Sequence, residues 1–353
     1  MACGRVSSQG GNTNGRLIAL DRAFNELWRA DATASNLGMA TQLDDAVLVQ
    51  FDDGVLRAFD AASGAEDWTR RTQVGGIAYR PVAGHEGKAL AFDEAGSYVG
   101  MFNASDGSSV WSQPTDASGQ LVIAEDAGAV VVASFSGLSA FSLDSGAPLW
   151  ADPVGQCIGA AAGPNHVYAA TVQREFIAID ALTGKRVWTR TIDDVFSGVE
   201  VAGGVLFLLE SIVSDVVKLR VRAYDVGSGE AAWEIVVPGS AVAVPSTPYP
   251  VAGHGNIYLF GDERQLLAVD PDTGTHRWEG PKPSRPGPWA GMIAANDESV
   301  FLALDNSVTR FDPTSGRETG RHSFESKGNT VVVSTAPDRV FISAFGRPTH
   351  HRD

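Results

Sequence analysis

Apolar residues come in short bursts along this chain, not at helical spacing. Ala129–Ala133, Val205–Leu209, Ile257–Phe260 and Val300–Ala303 are near-continuous apolar runs, the pattern of strands covered on both faces of a sheet. Turn-forming residues bound them, as at Gly163-Pro164-Asn165, Gly203-Gly204 and Gly255-Asn256. Between the bursts a second pattern recurs, clearest at Ala178-Ile179-Asp180, Thr183-Gly184 and Val187-Trp188. It predicts a β-hairpin. A strand ends at Asp180, whose carboxylate accepts turn amides; Gly184 supplies a positive φ, and Trp188 lies on the returning strand. Its flat indole and single N–H suit a seam between packed sheets.

The hairpin pattern repeats. Ala58, Asp60, Gly64 and Trp68 reproduce its spacing, as do Ala223, Asp225, Gly229 and Trp233, and Ala268, Asp270, Gly274 and Trp278. Two copies are worn, with Asn103 and Ser142 at the Asp position before Trp111 and Trp150. A seventh, Asp312 to Gly316, carries Gly320 where Trp is expected, and an N-terminal copy, Asp21 to Trp28, is one residue short. From Trp28 to Gly320 the intervals are 40, 43, 39, 38, 45, 45 and 42 residues, a period that indicates a strand-built repeat array.

Each unit is expected to hold four strands, a to d. In the first full unit these are Gly38–Leu43, Ala46–Phe51, Val55–Asp60 and Glu66–Arg70. The chain begins with a c–d hairpin, Arg16–Asp21 and Glu26–Arg29, that has no earlier a or b. It ends with a and b alone, Asn329–Ser334 and Arg339–Ser343 around a turn at Ala336-Pro337-Asp338. Pairing the two ends completes one sheet and removes two exposed edges. The predicted fold is all-β: an eight-bladed β-propeller of four-stranded antiparallel blades, closed by N-terminal c and d strands pairing with C-terminal a and b strands. Residues 1–15 are expected to be a flexible tether, 16–345 the propeller and 346–353 a tail.

With 44% hydrophobic residues the chain can fill a large core. Its net charge of −15, with 22 Arg and 5 Lys, leaves no basic stripe and argues against nucleic-acid binding. Solubility explains the charge, and a basic partner is the alternative. No window has the roughly 18–20 apolar residues of a membrane-spanning helix. Cys3, followed by the polar run Arg5 to Gly15, resembles the lipidated start of a mature bacterial lipoprotein, with an incidental cysteine as the other reading. Cys157 falls in a predicted core strand, where a buried apolar role is expected, and no CxxC or metal spacing occurs.

The repeated Ala-x-Asp, Thr/Ser-Gly and Trp positions resemble the tryptophan-docking repeat of the pyrroloquinoline-quinone (PQQ) type β-propellers, over residues 16 to 345. The resemblance implies that the tryptophans are wedged between blades, so none of them is a candidate site residue. It is nearly silent on function, because the fold hosts quinoprotein dehydrogenases, scaffolds and sensors alike. Quinoprotein dehydrogenases typically carry a vicinal Cys-Cys pair, blade insertions and calcium ligands; this chain has no Cys-Cys and no sizeable insertion. Acidic residues occupy the b–c loops at Asp52-Asp53, Asp93-Glu94, Glu175, Asp262-Glu263 and Asp305-Asn306. Turn formation accounts for them, and a Ca²⁺-binding ring is the alternative. No catalytic or metal-binding spacing involves the scattered histidines.

Three stretches break the rhythm. The Pro-rich connections Val237–Pro250 and Gly280–Trp289 bring Tyr249, Lys282, Arg285 and Trp289 onto stiff loops, the residue types that anchor protein partners. Trp289 either serves as such an anchor or packs beneath its own loop. The third stretch is a long b–c hairpin, Glu210 to Leu219. The expected function is that of a monomeric, non-enzymatic binding or scaffold protein, exported to a periplasmic or other extracytoplasmic space, with Cys3 as candidate lipid anchor, another protein as partner and no cofactor. In size and blade count the chain is similar to the lipoprotein subunit of the outer-membrane β-barrel assembly machinery. The alternatives are an extracytoplasmic ligand-sensing domain and a PQQ-dependent dehydrogenase.

Overall fold

The computed structural model describes residues 15–32, 38–51, 54–72, 82–93, 97–115, 119–192, 195–212, 218–237, 250–261, 265–282, 292–304, 307–323 and 331–345. Strands alternate in direction throughout, and among these residues they pair into eight four-stranded antiparallel sheets with no helix. Blade 4 is representative: Cys157–Ala162, His166–Thr171, Glu175–Asp180 and Arg186–Thr191 pair in sequence order. The a strands of neighbouring blades approach one another, which places them on the axis of the ring, with the d strands at the rim.

The eighth blade is composite, as the chain ends predict. Its order runs from Val331–Ala336 through Arg339–Phe345 to Gly15–Asp21 and Glu26–Ala32. Gly15 to Asp21 pair with Phe345 to Arg339 without a register break, so the junction is an uninterrupted ladder. Strand limits move slightly from those expected. In blade 1 the a strand is Thr41–Leu43, although the Gly38 amide still donates to the Gln50 carbonyl at 2.8 Å. In blade 8 the a strand continues to Ala336.

Both faces of each blade are buried because each meets a neighbouring sheet. In the strand Gly15–Asp21, Leu17 and Ala19 pack toward blade 1 while Ile18 and Leu20 pack toward blade 7. All four are at most 4% exposed, which explains why alternation is missing from the sequence. The core is therefore a series of apolar slabs between blades, with no single centre.

Each slab is pinned at the rim by one repeated contact. The Trp28 indole lies against Gly64 of the next blade, where a Cβ would fall 2.5 Å from the ring, and its N–H donates to the Ala61 carbonyl at 2.8 Å. The same pairing joins Trp68 to Gly107, Trp111 to Gly146, Trp150 to Gly184, Trp188 to Gly229, Trp233 to Gly274 and Trp278 to Gly316. In each case the N–H reaches the carbonyl one residue beyond the repeat's Asp position, at 2.8–3.1 Å. The glycines are required twice over: each has φ near +70°, and each leaves the slot the indole fills.

The seam between blades 7 and 8 reverses this arrangement. Gly320 stands on the d strand, and the shortened turn of blade 8 offers Phe24 in place of glycine. Phe24 adopts φ 68° and its ring lies 3.3 Å from where a Gly320 Cβ would stand. It packs against Phe301 at a centroid distance of 5.7 Å, and the Arg310 guanidinium lies 5.2 Å from its ring centre. Arg310 also donates to the Arg22 carbonyl, and Arg22 pairs with Glu298 across the seam. The large and small partners have exchanged blades.

Two outcomes follow for stability. Trp188→Ala, measured by urea unfolding, should cost about 3–5 kcal/mol, the range for deleting a buried tryptophan. Gly229→Ala should weaken the same seam from the opposite side, so the double variant should cost less than the sum of the two. At the inverted seam, Gly320→Trp alone should lower the melting temperature by clashing with Phe24. Adding Phe24→Gly should recover much of that loss, and an additive double variant would contradict the exchange.

Candidate functional site

Antiparallel order puts the a–b and c–d turns at one end of the disc and the b–c and d–a connections at the other. The first end is occupied with holding the turns together. Asp180 Oδ1 accepts from the Thr183 amide at 2.8 Å and its hydroxyl at 2.6 Å. Asp60, Asp225, Asp270 and Asp312 accept from Ser63, Ser228, Thr273 and Ser315 in the same way. In the worn second blade Asp106 does this work, accepting from Ser108 at 2.8 and 2.6 Å.

Histidines on the a–b turns make local contacts. His254 Nδ1 lies 3.2 Å from the Tyr258 hydroxyl, which also receives the Asn256 amide at 3.4 Å. His85 lies 3.5 Å from Glu125 and 3.7 Å from Glu86, bridging blades 2 and 3. Among the described residues no cluster of three or more His, Cys, Asp or Glu side chains could hold a metal ion.

The second end is where the sequence places its candidates. Lys282 is exposed just beyond the d strand of blade 6, while Tyr249, Arg285, Trp289 and Cys3 lie outside the described residues. Of the acidic b–c positions, Asp93 is a turn former: Oδ1 accepts from the Ser97 and Tyr98 amides at 2.6 and 3.0 Å. Glu175 opens the c strand of blade 4, and the remaining acidic positions lie outside the described residues. Cys157 is half-buried at the start of its a strand instead of deep in the core. Burial pushes its thiol up to about 11, so it is protonated at neutral pH.

Two features escape a reading by pattern. The long hairpin of blade 5 does form, with strands Val205–Ile212 and Lys218–Tyr224. It carries a buried charge cluster: Glu210 is fully buried, 3.5 Å from Arg222 and 3.8 Å from Arg220. Glu234 on the rim strand meets Arg222 at 3.4 Å and Arg220 at 3.8 Å. The spacing of Arg220 and Arg222 by two along a strand was the available signal, since it puts both on one face. The second feature is Phe135, which is 63% exposed at the b–c turn of blade 3.

Eight four-stranded sheets, joined at seven of their eight seams by tryptophan on glycine, define a PQQ-like β-propeller. Residues 4–164 and 136–288 match the family described as outer membrane protein assembly factor BamB, and the chain belongs to that family. It is 31% identical over 143 residues to outer membrane protein assembly factor BamB of Bordetella pertussis, covering 40% of this chain and 35% of that protein. Over 102 residues it is 31% identical to the serine/threonine-protein kinase AfsK of Streptomyces griseus, covering 29% of this chain and 13% of the kinase. The aligned stretches thus span about a third and about an eighth of those relatives. The computationally designed protein Ika8 superposes with a TM-score of 0.63 at 13% identity, over 87% of this chain and 96% of Ika8, a likeness of fold alone.

The turn carboxylates give the fold a defined acid limit. Hydrogen bonds from the Ser63, Thr183 and Ser315 side chains hold Asp60, Asp180 and Asp312 below the ordinary value of 3.8. The Ser228 amide does the same for Asp225, and the Arg277 guanidinium for Asp270. A carboxyl with a lowered folded value contributes stability that is complete above its ordinary value and lost as pH falls through the folded value. The melting temperature should therefore hold steady between about pH 7 and about pH 5 and fall below about pH 4. Asp180→Asn should flatten that decline, as followed by circular dichroism.

Proposed function

We propose that this chain is a non-catalytic protein-binding scaffold of the cell envelope, acting in the assembly of outer-membrane proteins. The observation that carries the reading is the family match over residues 4–288, whose description is that of an outer-membrane assembly factor. The relative from Bordetella pertussis bears the same name. The use of the residues supports it as well. The seven repeat tryptophans are engaged in seams, and the described Asp positions of the repeat are engaged in turns. Neither set is left over for catalysis. The reading includes export, Cys3 as a lipid anchor, a monomeric state, and a surface that recognises another protein without PQQ or Ca²⁺. The loop residues Tyr249, Lys282, Arg285 and Trp289 are candidates for that surface.

A second reading, a ligand-sensing propeller, is favoured by the alignment with the kinase AfsK. One experiment separates the two readings and the quinoprotein alternative. Purified protein is titrated with PQQ, with and without Ca²⁺, while its melting temperature and absorbance are followed, and is then used as bait on a detergent-solubilised envelope fraction. A scaffold should show no shift with PQQ and should retain a discrete outer-membrane assembly component. Saturable PQQ binding with a raised melting temperature would overturn the proposal.

A further inference from the structure

The b–c turns offer a comparison within the molecule. Blades 1, 2, 4, 5, 6 and 7 carry charged residues there, at Asp52-Asp53, Asp93-Glu94, Arg174, Asp215, Asp262-Glu263 and Asp305. Blade 3 carries Ser134-Phe135-Ser136-Gly137 instead. An aromatic residue thus stands where the other blades' sequences carry a charge. The turn is also closed by its own hydrogen bonds. The Ser134 amide donates to the Gly137 carbonyl at 2.8 Å, and the Ser134 hydroxyl lies 2.9 Å from that of Ser136 and donates to the same carbonyl at 3.2 Å. Ser134 is itself buried, so the turn holds Phe135 outward instead of letting it fold down.

Two backbone hydrogen bonds connect this turn to the start of blade 4 and, within blade 4, that start to its b–c turn. The Cys157 amide donates to the Ser134 carbonyl at 3.0 Å, which sets the following residue, Ile158, next to the Phe135 turn. The Val172 amide donates to the Gln156 carbonyl at 3.0 Å, which brings in the b–c turn of blade 4. Ile158 is the extra residue of a bulge, between Cys157 paired with Thr171 and Gly159 paired with Ala170. Bulges re-aim side chains. Ile158 is 41% exposed and Val172 45%, both anomalous for large apolar groups on an inner strand and its adjoining turn. One blade earlier on the same end, Tyr98 is 46% exposed.

We propose that Phe135, Ile158 and Val172 form a docking patch for a short extended segment of another protein that presents apolar side chains flanked by basic ones. The inference rests on the scaffold reading and names the recognition chemistry. Size decides against a second copy of the chain. Three partly exposed side chains amount to a few hundred Å² at most, whereas each side of a stable protein interface covers roughly 800 Å². A patch of this size suits an anchor residue pair. Charge selects the segment. The chain carries −15, and Asp93 and Glu175 lie at this end of blades 2 and 4. Arg186 already pairs with Asp152 through two hydrogen bonds, at 3.0 and 3.1 Å, and Arg174 is the basic group among the described residues of the blade 4 turn. Long-range attraction therefore favours a basic segment over an acidic one.

The test uses the full chain and two labelled dodecapeptides in fluorescence anisotropy. One alternates Phe or Val with Lys; the other has Glu for each Lys. The Lys peptide should bind, more weakly as salt is raised, and Phe135→Ser should reduce its affinity about tenfold or more without changing the melting temperature. Should Phe135→Ser prove destabilised, Val172→Thr supplies the same comparison with a near-isosteric change. Equal binding of the Glu peptide, or undiminished binding by both variants, would overturn the proposal. So would sedimentation showing a dimer that Phe135→Ser abolishes, because the patch would then serve self-association. If wild type and Phe135→Ser retain the same envelope component equally well, the patch is refuted while the scaffold reading stands.

Discussion

The structure depends on the fit of an indole into a slot that only glycine leaves open. A propeller has no central core; each sheet is buried solely by its two neighbours, so both of its seams must form for a blade to be covered on both sides. The tryptophan supplies a large apolar area at the rim and one polar atom, and the seam provides one backbone carbonyl at a constant place, just past the repeat's Asp. The carboxylate at that position orders the turn that presents both the carbonyl and the glycine. Three residue types thus act as a single device: Asp shapes the turn, Gly opens the slot, Trp fills it and ties it down. Because the ring must close, the device also sets the angle between blades, and a misfit at one seam would be carried to the rest.

That dependence explains what was legible in the residues and what was not. The repeat phrase announces the blades because its spacing is tied to the seam geometry. Chain closure was legible because an unpartnered hairpin at one end and an unpartnered strand pair at the other have only each other. The exchanged seam was visible as two defects, Gly320 and a turn one residue short, but their compensation was not. Recognising it needs the fact that Phe24 itself occupies the positive-φ position and that Gly320 faces it across blades. Glu210 was read as part of a protruding hairpin. Its burial between Arg220 and Arg222 follows from strand register across three strands, which periodicity does not reveal.

The same logic separates the two ends of the disc. At the c–d end, Asp, Thr or Ser, and Gly are held by the seam, and substituting any of them disturbs a joint between blades. Among the described residues, the b–c and d–a connections carry no part of the indole contact. They are free to vary in length and chemistry, and in this chain they do: Pro-rich in two places, long in blade 5, acidic in several, aromatic in blade 3. Function on such a fold is expected where the repeat departs from itself at no cost to the ring.

Phe135 meets that condition in a way that an ordinary loop residue would not. An exposed aromatic on a mobile loop can find cover by folding down, whereas this one is held out by a buried serine and a hydrogen-bonded turn. Ile158 follows Cys157, whose amide bonds that turn across blades 3 and 4, and the Val172 amide bonds Gln156 within blade 4. The hydrogen bond between blades 3 and 4 therefore helps to position this surface. A partner docking there would meet a preformed apolar ledge and would not have to pay for ordering it, which is the condition under which a small patch yields useful affinity. Scaffold and surface then share one physical origin, because the contact that fixes the angle between blades also fixes the spacing of the side chains those blades present.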